Sequence, residues 1–125
     1  MAQWGDGCNL GGTDLELVRH KLDILRGHCD AAGRDFASIT RSFSANVHLL
    51  DDAANAEAET AAARGQVSYA DYARTRFVGT PQQIAERLHT LTKMGINYFI
   101  MYLPRVAYDL SQLQWFARDI VPQFQ

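Results

Sequence analysis

The chain has 125 residues, 47% of them apolar and 21% charged, with a formal net charge of −2. That length and composition predict one globular domain spanning residues 1–125 with a core of its own, and exclude a disordered chain. Lys and Arg are scattered rather than gathered into a stripe, which argues against nucleic acid; no apolar run approaches the roughly 18 residues that span a bilayer, and Met1-Ala2-Gln3-Trp4 carries no signal segment, so a soluble cytoplasmic protein is expected.

The first predicted element after the Gly-rich opening is a long helix from Thr13 to Ala32. Leu15, Val18, Leu22, Leu25 and Cys29 recur at spacings of three and four and form one stripe. Thr13 and Glu16 have the spacing of a capping box, and Gly33 suits a left-handed residue past the C-terminus. From Ser38 to Leu50 the period changes to two, with Ile39, Phe43, Ala45, Val47 and Leu49 on one side and Thr40, Ser42, Ser44, Asn46 and His48 on the other. That alternation predicts a strand with a polar face. Asp51 or Asp52 can cap an Ala- and Glu-rich helix that runs to about Arg64 and ends at Gly65.

Between Gln66 and Phe77 the aromatics Tyr69, Tyr72 and Phe77 stand among Asp71, Arg74 and Arg76 without clean periodicity, so a short helix and an ordered loop are both open. Thr80 and Pro81 start another helix, whose stripe Ile84, Leu88 and Leu91 stops at Gly95. The run from Ile96 to Leu103 is apolar and aromatic and is closed by Pro104, which predicts a strand buried on both faces. A last helix from about Leu110 to Val121 uses Leu110, Leu113, Ala117 and Ile120, with Pro122 ending it. Strands alternating with helices predict the α/β class, with about three βα units and parallel strands.

Cys8 and Cys29 are too few for a disulfide framework and are expected to be reduced thiols, with Cys29 in the core. His20, His28, Cys29 and His89 lack metal-ligand spacing, so no metal is expected. No Ser or Cys stands in the surroundings a hydrolytic nucleophile needs.

Several short motifs occur in a telling order: Gly5-Asp6-Gly7-Cys8-Asn9, Gly33-Arg34-Asp35, Phe43, Val78-Gly79-Thr80-Pro81, Gly95-Ile96-Asn97-Tyr98-Phe99 and Ile120-Val121-Pro122. In that order they resemble the C-terminal part of the bacterial luciferase-like monooxygenases, in the branch that uses F420 or FMN. Cys8 stands where that pattern usually has Trp. The resemblance covers essentially the whole chain and implies the closing portion of a (β/α)8 TIM-type barrel. A full barrel runs to roughly 250 residues and places its active site at the C-terminal ends of all eight strands. The early strands, expected to supply much of the substrate pocket and part of the cofactor bed, have no counterpart here.

The resemblance implies a flavin- or F420-dependent oxidoreductase or monooxygenase, with Asp6, Gly7, Asn9, Gly79 and Thr80 as cofactor-binding residues. Gly79 and Thr80 open a helix whose N–H groups suit a phosphate, although N-capping alone accounts for the same residue types. Asp6 to Asn9 is expected at the end of a strand with Gly7 letting backbone approach a flat cofactor, and a tight turn is the plainer reading. His48 is a candidate acid or base on a polar strand face that in a barrel points inward and in an isolated sheet faces water. Tyr69, Tyr72 and Phe77 suit either a lid over a planar ligand or an aromatic loop packed on its own domain. An open half-barrel leaves one sheet face and both edges bare, so a homodimer is expected to cover them. A non-catalytic oligomerisation or ligand-binding module that kept part of the fold, and a piece of a longer enzyme, are the alternatives.

Overall fold

A computed structural model describes residues 2–125. Four strands and five helices follow one another as β1 Gly7–Gly11, α1 Leu15–Ala32, β2 Thr40–Leu49, α2 Ala56–Arg64, α3 Tyr69–Arg74, β3 Phe77–Gly79, α4 Pro81–Met94, β4 Tyr98–Tyr102 and α5 Ser111–Asp119. Every strand pairing is parallel, and β2 is the hub. Its first half pairs with β1 in the register Thr40 opposite Gly7, its middle with β4 in the register Ser42 opposite Tyr98, and its last three residues with β3.

The alternation of β2 decides the architecture. Phe43, Ala45, Val47 and Leu49 point into a core completed by Val18 and Leu22 of α1, by Ile84, Leu88 and Leu91 of α4, and by Phe116 of α5 with Ile120 beyond it. Helices therefore cover one face of the sheet. The opposite face carries Asn9, Ser42, Ser44, Asn46, Tyr98 and Tyr102, which share it by register, and among the described residues no helix seals it. Tyr98 and Tyr102 are 58% and 57% exposed, so the expectation of a last strand buried on both faces is corrected. Only Phe99 and Met101 of β4 pack on the core, because helices lie on that side alone.

Local signals held where the chemistry is short-range. Val18, Leu22, Leu25 and Cys29 are the buried stripe of α1, and Gly33 closes the helix at φ 64°, a left-handed backbone that favours glycine. Its start is corrected by one residue: Asp14, not Thr13, caps the helix by accepting from the N–H groups of Glu16 and Leu17. The Thr13 hydroxyl instead donates to Arg74 O at 2.8 Å, tying the end of β1 to α3. A carboxylate is the stronger acceptor for two N–H donors at a positive helix end. Asp52 caps a short turn, Ala53–Asn55, ahead of α2.

The undecided segment contains α3, capped by Ser68, and then β3, which the aperiodic sequence did not disclose. Three residues are too few for a period to register. The long strand is Thr40–Leu49 rather than 38–50, preceded by a tight turn at Phe36–Ser38. The expected stripe of the last helix is corrected as well. Leu110 and Leu113 are 51% and 41% exposed, while Phe116 and Ile120 are buried, and Pro122 sits inside a closing turn, Val121–Phe124, rather than after a stop.

Candidate functional site

The two ends of the sheet differ in construction. At the N-terminal end, Arg41 is 8% exposed, and its guanidinium donates to the carbonyls of Gly95 at 2.6 Å, Ile39 at 2.7 Å and Phe36 while lying over the Phe36 ring. Asp6 lies at this same end, just before β1, with its exposed carboxylate 3.4 Å from Arg34 Nη2 and its carbonyl accepting from Thr40 N–H. Gly7 is the first residue of β1. The expected position of Asp6 and Gly7 at the end of a strand is thereby corrected: they begin one. The short opening strand is expected but misplaced, because the Asp-Gly-Cys-Asn run is turn-like locally and joins the strand by pairing with residues more than thirty positions away.

Asn9 is on the bare face. Its amide nitrogen donates to Ser44 Oγ at 3.1 Å and its amide oxygen accepts from Ser42 Oγ at 2.9 Å, which makes a polar ladder across β1 and β2. Gly11 is held small by its neighbour, since a Cβ there would stand 2.9 Å from the Ser44 carbonyl oxygen.

Gly79 and Thr80 are at a C-terminal strand end, as expected, but their polar groups are largely engaged. Leu50 N–H donates to Gly79 O, while Thr80 and Gln83 form a reciprocal capping box: Thr80 N–H donates to Gln83 Oε1 at 3.0 Å and Gln83 N–H to Thr80 Oγ1 at 3.4 Å. A Cβ on Gly79 would meet Gln83 Oε1 at 2.9 Å, so that glycine is explained by the cap itself.

His48 lies near the C-terminal end of β2, where barrel folds gather their chemistry. It is 5% exposed, and its Nδ1 is 2.9 Å from Tyr72 Oη. Burial pushes the imidazole below its ordinary pKa, Glu59 opposes that, and Arg76 adds to it. Burial pushes the Tyr72 phenol up, with Arg76 opposing. Both groups are thus held neutral near pH 7, Arg76 lying 4.2 Å over the Tyr72 ring. Tyr72 is 3% exposed and Phe77 is fully buried against Phe43, with Tyr69 half-buried, so these rings pack on their own domain and do not form a lid.

Two functional-looking residues escaped the sequence. Gln112 of α5 donates Nε2–H to Leu49 O at 3.0 Å and accepts from Leu49 N–H at 2.8 Å, so a side-chain amide continues the sheet where β4 has ended. Nothing marks such a Gln in a sequence. Arg105 follows β4 at φ 57° and, with Asn46, Tyr72, Arg76 and Tyr102, borders a cleft of about 220 Å³. Among the described residues neither Arg76 nor Arg105 has an acidic partner within ion-pair distance. His, Cys, Asp and Glu side chains do not gather in threes around a point among the described residues, and no helix is long and apolar enough to cross a membrane.

The fold is an open segment of a parallel βα barrel. Three solved structures share it: the long-chain alkane monooxygenase LadA (17% identity, TM-score 0.67), the riboflavin lyase RcaE with modified FMN and its substrate riboflavin (14%, 0.68), and the monooxygenase RslO1 from Streptomyces bottropensis (19%, 0.68). The matches cover 99%, 98% and 99% of this chain but only 37%, 39% and 44% of those chains. At such identities the likeness is one of fold. No protein-family model matches the sequence, and no curated protein matches it either.

Proposed function

We propose that this chain forms the closing portion of a luciferase-like oxidoreductase barrel and binds FMN or F420 against its bare sheet face. The observation that carries the reading is the face itself: an all-parallel sheet covered by helices on one side only, with Asn9, Ser42, Ser44 and Asn46 on the other, in a fold shared with a flavin-containing lyase and two monooxygenases. A polar inner surface suits a barrel lumen that holds a ligand.

The residues present fit such a group at the C-terminal rim. Arg76 and Arg105 offer guanidinium donors without acidic partners among the described residues beside one cleft, which suits a phosphate-bearing cofactor, and Tyr102 and Asn46 offer a flat ring and an amide on the same rim. When bound, a flavin or deazaflavin supplies the hydride or oxygen chemistry. The role of this chain is to hold and orient it, and to place the neutral His48 within the same end of the sheet. Titration of the purified chain with FMN and with F420, read by fluorescence, tests the reading: saturable binding of one of them, weakened roughly tenfold by Arg105→Ala, is expected. Binding of neither overturns it.

A second reading is a non-catalytic module, and the self-capped Thr80 together with Asp6 and Gly7 at the far end of β1 favours it. Under either reading the chain works as a homodimer. An apolar cleft of about 350 Å³ bordered by Phe99, Met101, Leu103, Leu113 and Phe124 supports this, as does the outer edge of β4, a strand that among the described residues pairs only with β2. A monodisperse monomer by light scattering at micromolar concentration overturns the dimer.

A further inference from the structure

A second hollow, of about 620 Å³, opens at the C-terminal ends of β2 and β3 beside the start of α5, with His48, Asp51, Ser111, Gln112 and Trp115 in its wall. His48 is the unusual member. It is 5% exposed, and one of its two ring nitrogens is taken by Tyr72 Oη. The Tyr72 hydroxyl has that nitrogen as its one hydrogen-bond partner among the described residues. A buried phenol donates to its sole partner rather than leave its proton unsatisfied, so Nδ1 accepts. A neutral imidazole carries a single N–H, which places the proton on Nε2. Nε2 finds no partner among the described residues, and it is not among the atoms sealed from solvent without one. His48 stands in the wall of the hollow, so this unused N–H is the polar group its ring has left to offer a ligand there.

The remaining walls select what that donor meets. Asp51, Glu59 and Asp119 outnumber Arg118 around the hollow, which disfavours an anionic ligand and leaves an uncharged carbonyl as the acceptor for His48. Glu59 is occupied by the N–H groups of Asp51 and Asp52, and Asp119 by Trp115 and Arg118. The Asp51 carboxylate has no partner among the described residues and is free to accept. Trp115 is half-buried, its ring fixed by the 2.7 Å bond from Nε1 to Asp119, so it offers a rigid flat surface.

We propose that this hollow is a binding site for a planar heterocycle bearing adjacent carbonyl and N–H groups, a cyclic imide or ureide, whose carbonyl accepts from His48 Nε2–H, whose N–H donates to Asp51 and whose ring lies on Trp115. Tyr72 acts as a positioning residue that sets the tautomer. The site stands on its own geometry and does not require the cofactor reading above.

Uracil is the probe, titrated against the intact chain carrying Trp4→Phe so that Trp115 is the only fluorescent indole. Saturable quenching by uracil is expected, with 1,3-dimethyluracil binding roughly five- to tenfold more weakly because it lacks the N–H donors. His48→Leu is expected to weaken uracil by a similar factor, and His48→Gln, which keeps a donor near the Nε2 position, to recover most of it. Nitrogen-15 NMR of the wild-type chain reads the tautomer directly: Nε2–H at His48, drifting toward a mixture in Tyr72→Phe. An Nδ1–H tautomer in the wild type, no saturable uracil binding, or equal binding of uracil and its dimethyl derivative overturns the proposal. The tautomer and dimethyl comparisons need no variant at His48, and none of these readouts depends on whether FMN or F420 binds.

Discussion

Arg41 and His48 lie on one strand, and both are buried polar side chains, yet they are built to opposite ends. Arg41 finds its acceptors close by: carbonyls from the Phe36–Ile39 turn and from the end of α4 converge on its guanidinium, over the Phe36 ring. His48 has one nitrogen tied to Tyr72 and the other left over at the wall of a hollow. A satisfied network rigidifies, whereas a donor without a protein partner and not sealed from solvent stays available to a ligand. The contrast matches the general division in βα barrels, where the N-terminal ends of strands serve stability and the C-terminal ends serve ligands.

The largest perturbation strikes the strand between these ends. Phe43→Ala should destabilise the chain by about 3–5 kcal/mol in urea unfolding, since the ring is fully buried and stacked on Phe77 at 5.8 Å. Ser44→Ala, one residue on but facing the bare side, should cost about 0.5 kcal/mol or less. Equal costs would erase the distinction between the two faces.

Next comes Arg41→Ala, at about 3 kcal/mol, because it strands the carbonyls of Phe36, Ile39 and Gly95 and removes the ring contact. It should leave the uracil and FMN titrations unchanged after correction for the unfolded fraction. A change in ligand affinity would mean that the two ends are coupled. Gln112→Ala should cost about 1–2 kcal/mol by freeing both backbone groups of Leu49, and Gln112→Glu should recover only the half that accepts from Leu49 N–H. Hydrogen exchange at Leu49 is the direct measurement.

The smallest effect is in pH. Burial lowers the His48 pKa in the folded chain below its unfolded value near 6.5, so the unfolded state binds the extra proton first. The stability tied to a neutral His48 is present above about pH 6.5 and is lost as pH falls from there through the folded-state pKa. Urea midpoints at pH 8 and pH 5 should differ in that direction, and His48→Gln should flatten the difference. A wild-type midpoint that rises on acidification, in the window where His48 titrates, would reverse the assignment of burial as the dominant cause.

Much of this molecule was legible from short-range pattern. Val18 to Cys29 marked a helix by spacing, Gly33 and Gly95 marked its end and that of α4, and Thr80-Pro81 marked the start of α4, because caps and stripes are decided within a few residues. The alternation from Ile39 to Val47 separated core from bare face, since a period of two follows from the strand backbone alone, whereas His48, expected on the polar face, is buried by tertiary packing against Tyr72. What sequence could not supply was partnership across the chain. That Asp-Gly-Cys-Asn starts a strand, that three residues at Phe77–Gly79 form another, that Tyr72 turns inward to His48, and that Gln112 extends the sheet at Leu49 all depend on groups 24 to 63 residues apart. Local chemistry chose the elements. Only tertiary pairing decided which polar groups are consumed and which are left to meet a ligand, because a hydrogen bond between distant residues leaves no periodic trace in either segment.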